Sequence, residues 1–372
     1  MKLIKFSRKF IVISINTIFC FLITDFILTK IYRLRGYTEF FESNKEVGYI
    51  NKRVFSGVFG GPLDEFSNIV NTDNFGNRIS SRKICKNKKL NQNKLNKILF
   101  VGDSTLAGFE VGDNETYVSL LNQKCDNNFK FINGGVRGHD THMSIANLKR
   151  IISEKNLDNK NTKFFYMLTG NDFKENNNKN SYFGMKSTFG SIYDLNFYQP
   201  YSNPLKLKAK ELLSKNFYFL KKFRRFILLL SIENKNPETT KFENKIVTEI
   251  KTQKNCKRVI DIISSSIKEQ KSIKDIYIIS HPGLGNTISK NIKSLESHKK
   301  RENCLYDAAK TKRNIIVLKI SDELEMVFSK RKSNLNLKFK RDSHYNKDGH
   351  FVMSEVINKL ITSKEFIQKY NF

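Results

Sequence analysis

The sequence predicts an α/β fold, on three observations. Short apolar runs recur along the chain, glycine-bearing turns close several of them, and helical patterns lie between successive runs. The first run, Lys97-Ile98-Leu99-Phe100-Val101, ends in Gly102-Asp103-Ser104, and a helix follows over Glu115 to Cys125 with Tyr117, Val118, Leu120 and Leu121 as its apolar face. The second, Phe129-Lys130-Phe131-Ile132, leads into Asn133-Gly134-Gly135-Val136-Arg137-Gly138 and a helix from about Thr141 to Lys155. The third, Lys163-Phe164-Phe165-Tyr166-Met167-Leu168, ends in Gly170-Asn171-Asp172. The pattern resumes with a helix from Arg258 to Gln270, a strand from Asp275 to Ser280, a helix around Cys304 to Lys310 and a strand from Asn314 to Lys319. A C-terminal amphipathic helix carries Val352, Val356, Leu360 and Ile361 on one face.

The turns carry the chemistry. A small turn at the C-terminal end of a strand lifts Ser104 above the sheet edge, where ligands bind in open α/β folds. Glycines at 134, 135 and 138 permit close backbone approach, so the Gly138 N–H can serve an oxyanion. Asn171, at a strand end, offers a side-chain amide for the same purpose. Asp172 reads as a loop brace. Each tripeptide taken alone is also an ordinary turn. Near the C-terminus, Asp342-Ser343-His344 places a carboxylate two residues before a histidine in a loop, where it can fix the imidazole tautomer and leave the far nitrogen free as a base. Of the six histidines, His344 alone combines so close an acid with a loop setting. His350 is the rival base but falls at the start of a helix and reads as a packing or capping residue. His139 and His142 have metal-like spacing without a third ligand in sequence, so no metal and no cofactor is expected.

These blocks resemble the SGNH (GDSL-type) hydrolase superfamily, with Ser104, Gly138, Asn171 and His344 matching its four signature positions in order. Asn71-Thr72-Asp73-Asn74-Phe75-Gly76-Asn77-Arg78 is similar to the lead-in of membrane-anchored bacterial members, as is Leu106 through Tyr117. The likeness covers roughly residues 70–175 and 255–362. One departure concerns the acid, which in the commoner family spacing stands three residues before the histidine, not two as Asp342 does here. The resemblance implies a flavodoxin-like three-layer α/β/α sandwich with a mostly parallel sheet. It further implies attack by Ser104 on an ester carbonyl, an oxyanion held by the Ser104 N–H, the Gly138 N–H and the Asn171 amide, and resolution of the acyl-enzyme by water or a sugar hydroxyl.

Residues 1–30 supply an N-terminal signal-anchor. Lys2, Lys5, Arg8 and Lys9 precede an apolar run from Phe10 to Leu28, close to the length needed to cross a bilayer, about 20 residues. Asn16 and Asp25 interrupt it, and Asp25 lies near one end, where an acid costs less. A clear cleavage site is missing from the sequence around Thr24-Asp25-Phe26. The reading is a single-pass membrane protein with its catalytic domain outside the cytoplasm, although Lys30, Arg33 and Arg35 nearly balance the N-terminal cluster. The other reading of this run is a buried core helix. Residues 31–96 read as a stalk and lead-in, 97–372 as the catalytic domain, and 181–254 as an insertion. Within that insertion, Phe217 to Leu230 is apolar and basic, which suits a helix buried against its own domain or one lying on an anionic bilayer.

The chain carries 66 Lys+Arg against 36 Asp+Glu, a formal charge of +30. An excess of that size suits an anionic surface or an acidic glycan, but Lys, Asn and Ile are abundant throughout, so the excess names no partner. Nucleic acid is the weakest of the partners such a charge suits, since no recognition motif appears and a membrane-anchored exported domain would not meet it; none is expected. Cys20 lies in the apolar run, leaving Cys85, Cys125, Cys256 and Cys304 to pair in an oxidising compartment, the pairing open. Three functions are compatible with this pattern. The first is a serine esterase or O-acyltransferase acting on small acyl groups, acetyl foremost, of a cell-envelope glycan. The second is a lipase or lysophospholipase, and the third a catalytically inactive glycan-binding scaffold. Oligomeric state is not encoded in any feature of the sequence.

Overall fold

Five strands form the sheet: β5 (Asn96–Gly102), β6 (Phe129–Gly135), β7 (Thr162–Leu168), β8 (Ile276–Ser280) and β9 (Ile315–Leu318). Their spatial order is β6-β5-β7-β8-β9 and every pairing is parallel. The first strand in sequence thus has the second on one side and the third on the other, which puts a topological switch point at the C-terminal end of β5. This is the computed structural model of the chain, and it describes residues 2–31, 37–60, 64–80, 96–124, 129–170, 172–175, 216–217, 219–220, 223, 253–268, 270, 272–283, 288–330, 336–340 and 342–370.

Side-chain alternation along the strands builds two cores, one on each face. Ile98, Phe100, Phe165, Met167, Tyr277 and Ile279 face one layer, packed by α3 (Tyr117–Gln123), α8 (Ser321–Lys330) and α9 (Lys347–Thr362). Leu99, Val101, Phe164, Tyr166, Leu168 and Ile278 face the other, packed by α4 (Thr141–Glu154), α6 (Gln253–Ile267) and the C-terminal part of α7 (Ile288–Ala309). The result is the three-layer α/β/α sandwich with a parallel sheet. Two short helices, α2 (Ser104–Ala107) and α5 (Asp172–Glu175), sit at the strand ends, and α10 (Lys364–Tyr370) closes the chain. Helices expected at Glu115–Cys125 and Arg258–Gln270 start or stop a few residues away, because Thr116 caps α3 by accepting from the Ser119 N–H and α6 begins earlier, at Gln253.

The stalk reading of 31–96 is corrected for residues 37–60 and 64–80. They form two antiparallel hairpins, β1 (Phe41–Asn44) with β2 (Gly48–Asn51) and β3 (Ser56–Gly60) with β4 (Ser67–Asn71). Phe40, Phe41, Tyr49, Phe59 and Val70 pack as one cluster with Ala107, Phe109, Val136 and Met143 of the main body. So much aromatic surface gains more by burial on the domain than by standing in water.

Helix α1 (Lys2–Ile31) contains an apolar stretch, Phe10–Ile31, of 22 residues, long enough to cross a membrane. Asp25 is buried, and its carboxylate accepts hydrogen bonds from the Phe219 and Leu220 N–H groups at 2.9 and 2.8 Å and from the Thr29 hydroxyl at 3.1 Å. The Phe26 and Phe217 rings meet at 6.2 Å. Most of the insertion at 181–254 lies outside the described residues, as do Cys85 and Cys125.

Cys256 and Cys304 form a disulfide that joins α6 to α7 across 48 residues of sequence. Closing a loop of that length in the unfolded chain corresponds to about 4 kcal/mol. Replacing both residues by Ser should lower the unfolding free energy of the detergent-solubilised protein by roughly that amount, read as an earlier denaturant midpoint; an unchanged midpoint would show that the bridge contributes nothing.

Candidate active site

The sheet delivers Ser104 to its edge. Asp103 caps α2 by accepting from the Thr105 N–H, and its other carboxylate oxygen accepts from the Thr169 hydroxyl at 2.8 Å, which ties the turn after β5 to the end of β7. Asp172 braces that same loop by accepting from the Thr169 N–H at 2.7 Å. On the other flank Gly102 pairs with Gly135 of β6, and the Val136 N–H donates back to the Gly102 carbonyl. Any Cβ on Gly135 would lie 2.5 Å from the Ala107 nitrogen, so only glycine lets β6 run so close beneath α2.

His344 reaches the serine from the far end of the chain. Its Nε2 is 2.8 Å from Ser104 Oγ, and its Nδ1 is 2.5 Å from Asp342 Oδ1. The geometry fits a hydroxyl donating to Nε2 and an Nδ1–H donating to the carboxylate. Asp342 also accepts the His344 backbone N–H at 2.9 Å, so the two-residue spacing folds the acid back onto its own histidine. Partial burial works against the ionised Asp342. The His344 hydrogen bonds and charge, with Arg137 beyond, outweigh it and hold the carboxyl down at about 2. The loop is fixed by a Lys338–Tyr345 bridge and by the Tyr345 hydroxyl donating to the Pro282 carbonyl at 2.6 Å. His281-Pro282 therefore holds the histidine loop.

Of the residues singled out from sequence, Ser104, His344 and Asp342 come together. Gly138 lies in the turn after β6 with φ +78°, a conformation glycine adopts without strain. Asn171 lies outside the described residues. Four of the other five histidines are buried and occupied elsewhere. His139 is buried with Nε2 2.9 Å from the Tyr49 carbonyl, and burial pushes it down to about 3. His350 accepts from the Tyr117 N–H at 3.3 Å and stacks on the Tyr117 ring, kept neutral by burial beside Arg78. His281, likewise lowered to about 3 by burial, meets the Tyr117 hydroxyl. His298 is buried and pairs with Glu302 inside α7.

Sequence reasoning missed two residues. Arg78 is fully buried, and its guanidinium donates to the carbonyls of Ala107, Gly108 and Val111 while pairing with Asp113. Glu110 has its Oε1 3.3 Å from His344 Nδ1 and pairs with Arg137. An acid standing between Phe109 and Val111 was the available signal for the second. Glu110, Asp342 and His344 also offer ligand atoms within 4.8 Å of one another. Arg137 already pairs with Glu110, and the geometry at Nδ1 already suits Asp342 as its acceptor.

No family model and no curated protein matches the chain. Among solved structures, a catalytic mutant of the acetylxylan esterase Axe2 from Geobacillus stearothermophilus is similar at 12% identity over 72% of this chain and 95% of that one, with a TM-score of 0.36. The α/β hydrolase LAE5 from the metagenome of Lake Arreo, Spain, is similar at 10% identity over 70% of this chain and 93% of that one, with a TM-score of 0.33. At such identity and TM-score neither neighbour decides the chemistry, which rests on the sheet order and the geometry of Ser104.

The buried histidines have a consequence for stability. His139 and His281 stay neutral in the fold down to about pH 3, whereas in the unfolded chain they protonate near pH ~6.5. Their contribution is whole above that unfolded value and is lost as pH falls toward the folded one, because the unfolded state then binds more protons. The thermal midpoint should drop as pH is lowered from about 7 to about 4, and less steeply in His139→Gln. Equal slopes for the two proteins would show that His139 does not resist protonation.

Proposed function

We propose that this protein is a serine esterase or O-acyltransferase, held in the membrane by α1 with its body outside the cytoplasm, that removes or moves a small acyl group, foremost acetyl, on a cell-envelope glycan. The observation that carries the reading is the continuous hydrogen-bond chain from Ser104 Oγ through His344 to Asp342 at the switch point of the sheet. His344 Nε2 takes the hydroxyl proton as Ser104 Oγ attacks the ester carbonyl. The tetrahedral oxyanion is received by the N–H groups of Ser104 and Gly138 and by the Asn171 amide. His344 returns the proton to the departing alcohol, and the acyl-enzyme is released by water or by a second hydroxyl through the same steps in reverse. The glycan is supported by the membrane-anchored lead-in pattern and the four signature blocks of the sequence.

A lipase or lysophospholipase using the same residues is the second reading, favoured by an apolar helix that would hold the site near lipid. The detergent-solubilised chain should hydrolyse p-nitrophenyl acetate and prefer it to long-chain esters. A preference for long acyl chains would favour the lipid substrate. No turnover together with no labelling of Ser104 by a serine-directed phosphonate would leave a non-catalytic glycan-binding scaffold. Ser104→Ala should lower kcat by at least about 10⁴-fold with the fold intact by circular dichroism. Asn171→Ala should cost about 3 kcal/mol of transition-state stabilisation, measured as kcat/KM; an unchanged value would remove Asn171 from the oxyanion site.

A further inference from the structure

Two carboxylates face the same nitrogen of His344. Asp342 Oδ1 stands at 2.5 Å and Glu110 Oε1 at 3.3 Å from Nδ1, and the two differ in setting. The Asp342 side chain is 30% exposed; that of Glu110 is wholly buried. An acid in such a place is costly unless paired. Arg137, one residue before Gly138, supplies one partner and spreads its guanidinium over the Phe59 and Phe109 rings. The other carboxylate oxygen, Glu110 Oε2, is buried without a hydrogen-bond partner among the described residues.

The position of Glu110 is built, not incidental. Its backbone carbonyl accepts from the Asn68 side-chain amide at 2.6 Å, and the segment on either side is gripped by Arg78 through the carbonyls of Gly108 and Val111. Both clamps come from the N-terminal hairpin region and its lead-in. Surface loops that need only to be covered do not recruit a fully buried guanidinium to fix one acid beside a histidine.

We propose that Glu110 is a positioning residue for the chemistry at Ser104: a second, buried carboxylate that orients the His344 ring together with Asp342 and stabilises the imidazolium formed when the serine proton is taken. This rests on the reading of Ser104 as the nucleophile. When His344 is neutral, the surroundings hold Glu110, Asp342 and Arg137, a net negative charge. Proton transfer from Ser104 to Nε2 places a positive charge where both carboxylates already point, with no reorganisation. The charged and titratable groups facing the imidazole are Asp342 on its own loop, Glu110 and Arg137 on the two loops packed against it, and His350, kept neutral by burial. Sharing the acid's task in this way also accounts for a triad acid as exposed as Asp342.

The test compares Glu110→Gln, Glu110→Asp, Asp342→Asn and the double variant Glu110→Gln/Asp342→Asn with the native full chain in detergent, using p-nitrophenyl acetate across pH. Glu110→Gln should lower kcat by at least about tenfold with KM within about twofold. The acid limb of its kcat/KM profile should move to lower pH by about one unit, because a negative charge beside the base has gone. Glu110→Asp should keep the acid limb in its native place, and Asp342→Asn should retain activity that the double variant loses. Should Glu110→Gln misfold with Arg137 unpaired, Glu110→Gln/Arg137→Gln removes the pair together; because it removes no net charge, its kcat at unchanged KM is read in place of the limb, and a native kcat in it overturns the proposal. A limb that does not move in folded Glu110→Gln, or an Asp342→Asn enzyme already as dead as the double, overturns the proposal. Ser104→Ala run alongside separates the two readings. If the native chain turns over and Ser104→Ala does not, an unmoved limb sinks the role of Glu110 alone; if Ser104→Ala keeps full activity, both fall.

Discussion

A buried guanidinium cannot be left with idle donors, and Arg78 satisfies its own by gripping the segment that follows the serine turn. Its partners are the carbonyls of Ala107, Gly108 and Val111 and the carboxylate of Asp113. Breaking such a set would strand a charge away from water at a cost of several kcal/mol. The N-terminal hairpins and the serine turn are therefore one mechanical unit. Arg78 also bridges to Asn133 at the end of β6, and Asn133 in turn donates to the Leu106 carbonyl, so the unit extends to the Gly-rich turn that carries Gly138. Loops are soft by nature; here their stiffness comes from a side chain contributed by the segment before the first strand of the sheet.

The parallel sheet explains why so many separate pieces of sequence meet. All five strands end at the same edge, so the turns after β5, β6 and β7 are neighbours although they are spread along the chain. His344 is a different case, since no strand carries it. It is placed by Tyr345, whose hydroxyl anchors on Pro282 beyond β8, and by α9, which packs against α3 immediately downstream of the serine turn. The histidines sort by environment accordingly. Those that pack at 0 to 3% exposure against carbonyls, rings or a helix partner lose their basicity to burial, while His344 keeps a solvent-facing position between a hydroxyl and two acids.

Much of this was legible in the residues. The strands announce themselves because most of their residues are buried, on both faces of the sheet, and therefore apolar, and the turns because glycine and asparagine cluster where the backbone must bend sharply. Ser104, Asp342 and His344 could be named because two of them adjoin recognisable blocks and the third lies two residues from its base. The hairpins were not legible. Strands such as Ser67-Asn68-Ile69-Val70-Asn71 are short, half exposed and rich in polar residues, and their burial depends on aromatic contacts with Phe109 and Met143 that no local pattern contains. Arg78 and Glu110 were hidden for the same reason. A buried charge is defined by its partners, and those partners lie 29 to 35 residues away for Arg78 and 27 for Glu110.

Asp25 shows how a local anomaly becomes a tertiary statement. In sequence it is an acid inside an apolar run, an expense that only a position near the run's end could moderate. In the structure its oxygens take two backbone N–H groups from residues 219 and 220 and the Thr29 hydroxyl, while Lys30 donates to the Asn216 side chain. The acid is thus spent on satisfying two backbone donors, at residues 219 and 220, that need a partner. The long apolar helix and the described middle of the insertion are consequently not independent appendages. A charge that would be a liability in a lone apolar helix is what ties this one to residues 219 and 220 of its own chain.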